Sequence, residues 1–323
     1  MIGKHHLEIE NKRVKYVLDI ERKVTVIKGN SGTGKTTLIR MLQGYIAQGN
    51  KSGITLKNDS NIPLIVFTAA TRWESELTEL KGTLIFIDEA VDYIYSKGFQ
   101  QEFSRSDNYL VVISRSGRFN HLPYAIQSIY ELHTTTNDKI KLTQMYHLYN
   151  FEEKSIVPAT VITEDSNSGA EMMKSIFDAA VISAGGNGNV SKKAATHIHE
   201  QSPLFAVVDG AAFGGFISQL MNLVKLNSDA YIFAPESFEY MILRTDSFKK
   251  KLKDELEHTW KYCDISQYLT WEQYYTELLQ KVCREEYGFI YSKTQLHKSL
   301  LTPDMAQQIK QYLYEALVTE KGA

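Results

Sequence analysis

Cysteine is nearly missing from this chain, with two residues in 323, Cys263 and Cys283. Two thiols cannot build a disulfide framework, and these two lack the spacing of zinc ligands, so both read as small, partly buried side chains. Long apolar runs are missing too. None approaches the roughly 20 residues that a membrane-spanning helix needs, and Met1 to His6 have no apolar core of a signal peptide. These two observations predict a cytoplasmic protein with no membrane partner. Charge of one sign is not in excess: 36 Lys and Arg face 38 Asp and Glu, for a formal charge of −2. There is no global basic field to attract nucleic acid, so any such binding must come from a local patch.

What is present is an ordinary globular composition, 43% hydrophobic and 23% charged, which excludes a disordered tail, a collagen and a coiled coil. The length suggests two domains, because a single core stops growing before this size. Short alternating or apolar runs at 7–9, 15–20 and 24–28 predict strands. The third enters Gly29-Asn30-Ser31-Gly32-Thr33-Gly34-Lys35-Thr36, and Thr37 to Leu42 continue with helical spacing of apolar residues.

Strand, glycine loop and helix is the context that turns this match into a phosphate-binding loop, the Walker A motif. The chemistry explains the residue types. Gly29, Gly32 and Gly34 let the backbone turn so that N–H groups of Asn30, Ser31, Thr33 and their neighbours point inward, and a helix N-terminus adds positive dipole. Lys35 can reach the β and γ phosphates of ATP. Thr36, followed by Thr37, can place its hydroxyl on Mg²⁺.

A second motif follows. Thr83 to Ile87 is an apolar run suited to a buried parallel strand, and it ends in Asp88-Glu89. Asp88 would join the Mg²⁺ shell and Glu89 would polarise an attacking water. Strands are also predicted at 62–68 and 109–114, then a helix at 124–132 and a strand at 144–149. This order resembles the P-loop NTPases that carry a catalytic glutamate beside the Walker B aspartate, whose next strand ends in a polar sensor residue. Ser114 occupies that place, and Arg115 and Arg118 follow on a loop from which either could contact a γ-phosphate. The opening strands resemble the start of ABC-type ATPases, although no Leu-Ser-Gly-Gly-Gln signature occurs.

From Pro158 the pattern resets to strands at 159–163, 181–184, 204–208 and 230–234, alternating with helices at 170–179, 191–200 and 216–224. Alternation predicts a parallel sheet whose functional groups gather at the carboxyl ends of the strands. Those ends carry Glu164-Asp165, Gly185-Gly186-Asn187-Gly188, Asp209-Gly210 and Glu236 to Glu239. Converging carboxylates are what hard divalent cations use. The arrangement resembles a TOPRIM domain, and an ABC-like ATPase followed by such a domain resembles the overcoming-lysogenisation-defect (OLD) ATPase-nucleases. The resemblance makes Glu164 and Asp209 metal ligands, but Ala211 stands where the second aspartate of the family's Asp-x-Asp belongs. That leaves a nuclease weakened, rebuilt with Glu236 or Glu239, or lost.

The last segment reads as helical, with Thr302-Pro303 starting one helix. Lys249 to Lys251 and Lys253 form a basic turn, read first as a solvated face and second as a nucleic-acid backbone contact. The expected organisation is therefore α/β throughout: a P-loop NTPase domain with a parallel sheet over 1–157, a Rossmann-like, TOPRIM-like parallel domain over 158–245, and a helical extension over 246–323. The expected activity is a Mg²⁺-dependent ATPase acting on or sensing nucleic acid, in bacterial defence or a mobile element by that resemblance. Two alternatives stay open: an ATP-gated sensor that docks a protein or nucleic acid, and a nucleotide-dependent kinase or transferase. A homo-oligomer is equally compatible.

Overall fold

The computed structural model describes residues 2–29, 32–115, 119, 121–137, 140–200 and 202–320. The protein is α/β and divides into two compact units, Met1–Leu148 with Trp260–Thr270, and Tyr149–Thr259 with Trp271–Ala323. Among the described residues no helix is long and apolar enough to cross a membrane.

The first unit is built on nine strands: β1 (His5–Glu10), β2 (Val14–Ile20), β3 (Val24–Lys28), β4 (Thr55–Asn58), β5 (Leu64–Phe67), β6 (Leu84–Asp88), β7 (Tyr109–Ser114), β8 (Ile129–Asn137) and β9 (Ile140–His147), with helices α1 (Lys35–Gln48), α2 (Trp73–Glu79) and α3 (Lys97–Arg105). They form one mixed sheet in the order β4-β1-β2-β9-β8-β3-β7-β6-β5. The continuous apolar runs take the interior. Every residue of β7 is buried, and it pairs in parallel with both β3 and β6. β1 and β2 alternate buried and half-buried residues, as strands with one covered face do, and they pair antiparallel. Leu38 and Leu42 of α1 pack into a core with Leu7, Leu18, Leu84 and Phe86.

Two expectations are corrected here. The sheet is mixed rather than parallel, because β8 and β9 form an antiparallel pair and β4 adds antiparallel to β1. The helix expected over 124–132 is a short 3₁₀ turn, Ile126–Ser128, leading into β8. Ile126, Ile129 and Leu132 recur at a spacing that suits a helix, yet the chain here lies between β3 and β9 and both neighbours supply hydrogen-bond ladders. Tertiary pairing overrides the local pattern.

Lys23, just before β3, is 4% exposed, and its ammonium donates to the carbonyls of Ser104 and Ile265, each at 3.0 Å, and of Ser106. The bond to Ile265 ties the segment 260–270 to the sheet of the first unit, and the other two hold the end of α3 there. Lys23→Met should leave three carbonyls without their donor and lower stability by about 2–4 kcal/mol. The urea midpoint at unchanged slope would measure this; a shift equivalent to less than about 0.5 kcal/mol would show that water replaces the ammonium.

The second unit has a six-stranded sheet of β10 (Tyr149–Glu152), β11 (Thr160–Thr163), β12 (Ala180–Ser183), β13 (Leu204–Val207), β14 (Ala230–Phe233) and β15 (Leu317–Glu320), ordered β10-β15-β14-β13-β11-β12. Four adjacent strands, β14, β13, β11 and β12, are parallel, joined through α4 (Ser168–Ile176), α5 (Asn187–His197) and α6 (Gly214–Lys225). Then come α7 (Phe238–Leu243), α8 (Lys253–Glu257), α9 (Trp271–Tyr287) and α10 (Pro303–Tyr314), where the Thr302 hydroxyl caps α10 by accepting from Met305 N–H. The tail is not purely helical: β15 returns to the sheet, antiparallel to β14 and β10. Four residues of Leu-Val-Thr-Glu carry too little periodicity to announce a strand beside a long helix.

Candidate nucleotide and carboxylate sites

In the first unit the glycine loop leaves β3 and delivers Lys35, Thr36 and Thr37 to the first turn of α1. Asn30, Ser31 and Arg118 lie outside the described residues. Gly34 caps the helix at φ +89°, and an added Cβ would come within 2.8 Å of the Tyr16 hydroxyl, so only glycine fits there. That hydroxyl donates to the Gly34 carbonyl at 2.8 Å, which ties the loop to β2. The Lys35 ammonium donates to the Gly29 carbonyl at 2.7 Å and to Thr33 Oγ1 at 2.8 Å. Burial pulls the Lys35 pKa down, while the charges of Glu89 and Asp88 oppose that shift.

Those two carboxylates reach Lys35 through the strand order. β7 lies between β3 and β6, with Lys28 opposite Ser114 and Asp88 opposite Ile113. The carboxyl ends of three adjacent parallel strands therefore present the loop, Ser114, and the Asp88-Glu89 pair side by side. Ser114 is fully buried. Glu89 forms an ion pair with Arg115 at 2.9 Å and accepts a hydrogen bond from the Arg115 N–H; Asp88 accepts from Ala90 N–H at 3.0 Å.

Beside the loop opens a cavity of about 600 Å³ bounded by Arg13, Tyr16, Gly32, Thr37, Thr134 and Lys141, within the usual range for a small-molecule ligand. Its walls on β2, β8 and β9 were not legible in the sequence, since strand pairing brings them together. Turning backbone, an ammonium reaching into the loop and exposed hydroxyls at Thr36 and Thr37 fit a polyphosphate. Thr36 with Asp88 fits one hard cation shared with that phosphate.

The second unit brings Glu164 and Asp209 together at the ends of β11 and β13. Glu164 accepts from the Asp209 N–H at 3.2 Å, and Asp209 accepts from Phe238 N–H at 3.0 Å. Burial pushes the Glu164 carboxyl up to about 7, and burial followed by the charges of Glu272, Glu164 and Glu239 pushes Asp209 up as well. Gly210 is required by close approach, because a Cβ there would lie 2.8 Å from the Pro235 carbonyl oxygen. Ala211, 1% exposed, continues the same ladder through its N–H to Glu236.

The carboxylates at this edge leave a divalent metal few oxygens, since Glu164 and Asp209 each accept from a backbone N–H. Among the described residues no group of three His, Cys, Asp or Glu side chains is placed to hold one, and the cavity there, about 30 Å³, has room for about one water. Three participants escaped the sequence reading: Glu272, Tyr291 and Lys293. Lys293 pairs with Glu272 at 2.6 Å and with the buried Glu239 at 3.2 Å, and the Tyr291 hydroxyl donates to Glu239 at 3.0 Å. No motif links them to the strand ends, so no local signal could have found them.

No protein-family profile matches this chain, and no curated protein matches it.

Proposed function

We propose that the first unit binds ATP with Mg²⁺ and hydrolyses it, as a P-loop NTPase with a glutamate beside the aspartate of its acidic strand. The observation that carries this reading is the insertion of β7 between β3 and β6, which aligns Lys35, Ser114, Asp88 and Glu89 at the carboxyl ends of three adjacent parallel strands of a mixed sheet. Backbone N–H groups of the loop and Lys35 bind phosphate; Thr36 and Asp88 hold the cation, whose positive charge offsets that of the phosphates. Glu89 orients and deprotonates water, and Ser114 is placed to hydrogen-bond at the terminal phosphate. Arg115, now paired with Glu89, is a second cation within reach of added negative charge. Fluorescent ATP-analogue binding and phosphate release by the full chain, with and without Mg²⁺, test this. Absence of both would remove the reading.

For the second unit the reading is an α/β module, TOPRIM-like in its parallel core, that docks nucleic acid without cutting it. It is supported by a cleft of about 690 Å³ bounded by Tyr240, Arg244, Lys249, Lys250, Lys253 and Tyr312. The Arg244 guanidinium lies 4.1 Å from the centroid of the Tyr312 ring and 5.6 Å from that of Tyr240. Lysines for phosphates beside aromatic faces for bases are what single-stranded nucleic acid uses. Changing Lys249, Lys250 and Lys253 together to Glu should weaken binding of a labelled single-stranded oligonucleotide. It should also reduce the slope of log K against log salt by about 2, at about 0.7 for each phosphate that the lysines no longer neutralise. Anisotropy titrations across salt concentrations would measure it, and an unchanged slope would return the patch to a solvated face.

A further inference from the structure

We infer that Lys293 is the resident cation of the carboxylate edge in the second unit, so that a side chain of this chain fills the place where a divalent metal would otherwise sit. The inference concerns that unit alone and stands whether or not the first unit turns over nucleotide.

Three features carry it. The first is position: the ammonium is 2.6 Å from Glu272 Oε1 in the first turn of α9 and 3.2 Å from Glu239 Oε1 in the first turn of α7. Glu239 has 2% of its side chain exposed, and its Oε2 has no hydrogen-bond partner among the described residues. Lys293 is thus the cation that balances a buried carboxylate. The second is tethering. The Lys293 carbonyl accepts from Ser168 N–H at 3.2 Å, Leu296 N–H donates to Glu171 at 2.9 Å, and Ser292 bridges to Gln295. Both anchors are on α4, which follows the Glu164 strand end, so the lysine is held at this edge by its own backbone.

The third feature is the state of the remaining carboxylates. Glu164 and Asp209 each turn an oxygen to a backbone N–H, and the second acidic position is the buried Ala211. A divalent cation would need six or so oxygens and would meet a fixed positive charge. Lys293 already supplies a positive charge at this edge without it.

The test uses the full chain carrying Asp88→Ala, without nucleotide, so that the first unit contributes no Mn²⁺ site. Calorimetric and electron-spin titrations with Mn²⁺ alone should show no saturable site in this parent. Lys293→Met, which keeps the stem and removes the charge, should lower the thermal midpoint and create one saturable Mn²⁺ site where the parent shows none, because the positive charge paired with Glu239 and Glu272 is gone. Mn²⁺ should then raise the midpoint of that variant and not of the parent. Lys293→Met with Glu239→Gln should recover the midpoint without metal, since no buried charge is left unpaired. One Mn²⁺ bound by the parent at micromolar concentration and lost on Asp209→Ala would overturn the inference. So would a Lys293→Met chain unchanged in both midpoint and Mn²⁺ affinity. If Lys293→Met alone does not fold, the parent titration and the recovered midpoint of the double variant still decide it.

Discussion

Replacing Glu89 with Gln should leave ATP-analogue affinity within about twofold and cut turnover by about a hundredfold or more, the usual worth of a positioned general base. The amide preserves the shape of the side chain and keeps an oxygen to accept the Arg115 N–H, as the carboxylate now does. What it loses is the basicity that takes a proton from water and the charge that pairs with the Arg115 guanidinium at 2.9 Å. That exposed pair contributes little to folding, so the thermal midpoint should hardly move. The separation of binding from turnover is the diagnostic outcome. Equal loss of both would move Glu89 into the cation shell beside Asp88 or into a folding role.

Lys35→Ala is expected to act on the other half of that separation. The ammonium donates to the Gly29 carbonyl and to Thr33 Oγ1, so it already lies against the loop at both of its described sides. Bound phosphate would exchange these neutral acceptors for charged ones, a gain of about 1.5–3 kcal/mol, and its loss should weaken binding about tenfold or more. Turnover should fall with it. Fluorescence titration of an ATP analogue with Mg²⁺ measures the effect, with the thermal midpoint of the nucleotide-free variant as a control for folding. Unchanged affinity and turnover would sink the assignment of this loop.

The parts of the protein legible in the sequence are those that one short stretch of chain specifies. The run from Gly29 to Thr37 states its own backbone: glycines where φ is positive, then a helix, with lysine at the turn between them. Asp88-Glu89 could be read because a short apolar run between polar breaks suits an interior strand, whose end then emerges at a sheet edge. In the second half, strands and helices alternate in register with the four parallel strands and α4 to α6, because buried apolar runs and amphipathic spacing are local properties.

Tertiary structure decided what depends on partners distant in the chain. The segment around Ile129 is a strand because β3 and β9 complete its hydrogen bonds, although its apolar spacing suits a helix equally well. Placing β7 between β3 and β6 sets Ser114 beside both motifs, an order that strand composition does not encode. The pairing of Glu239 and Glu272 near the Asp209 edge was decided from far along the chain, by Lys293 on a turn tied to α4. Secondary structure follows from the conformations and spacing of neighbouring residues, but a cation finds its carboxylates only after the whole unit has packed, since their attraction depends on distance and burial rather than on position in the sequence.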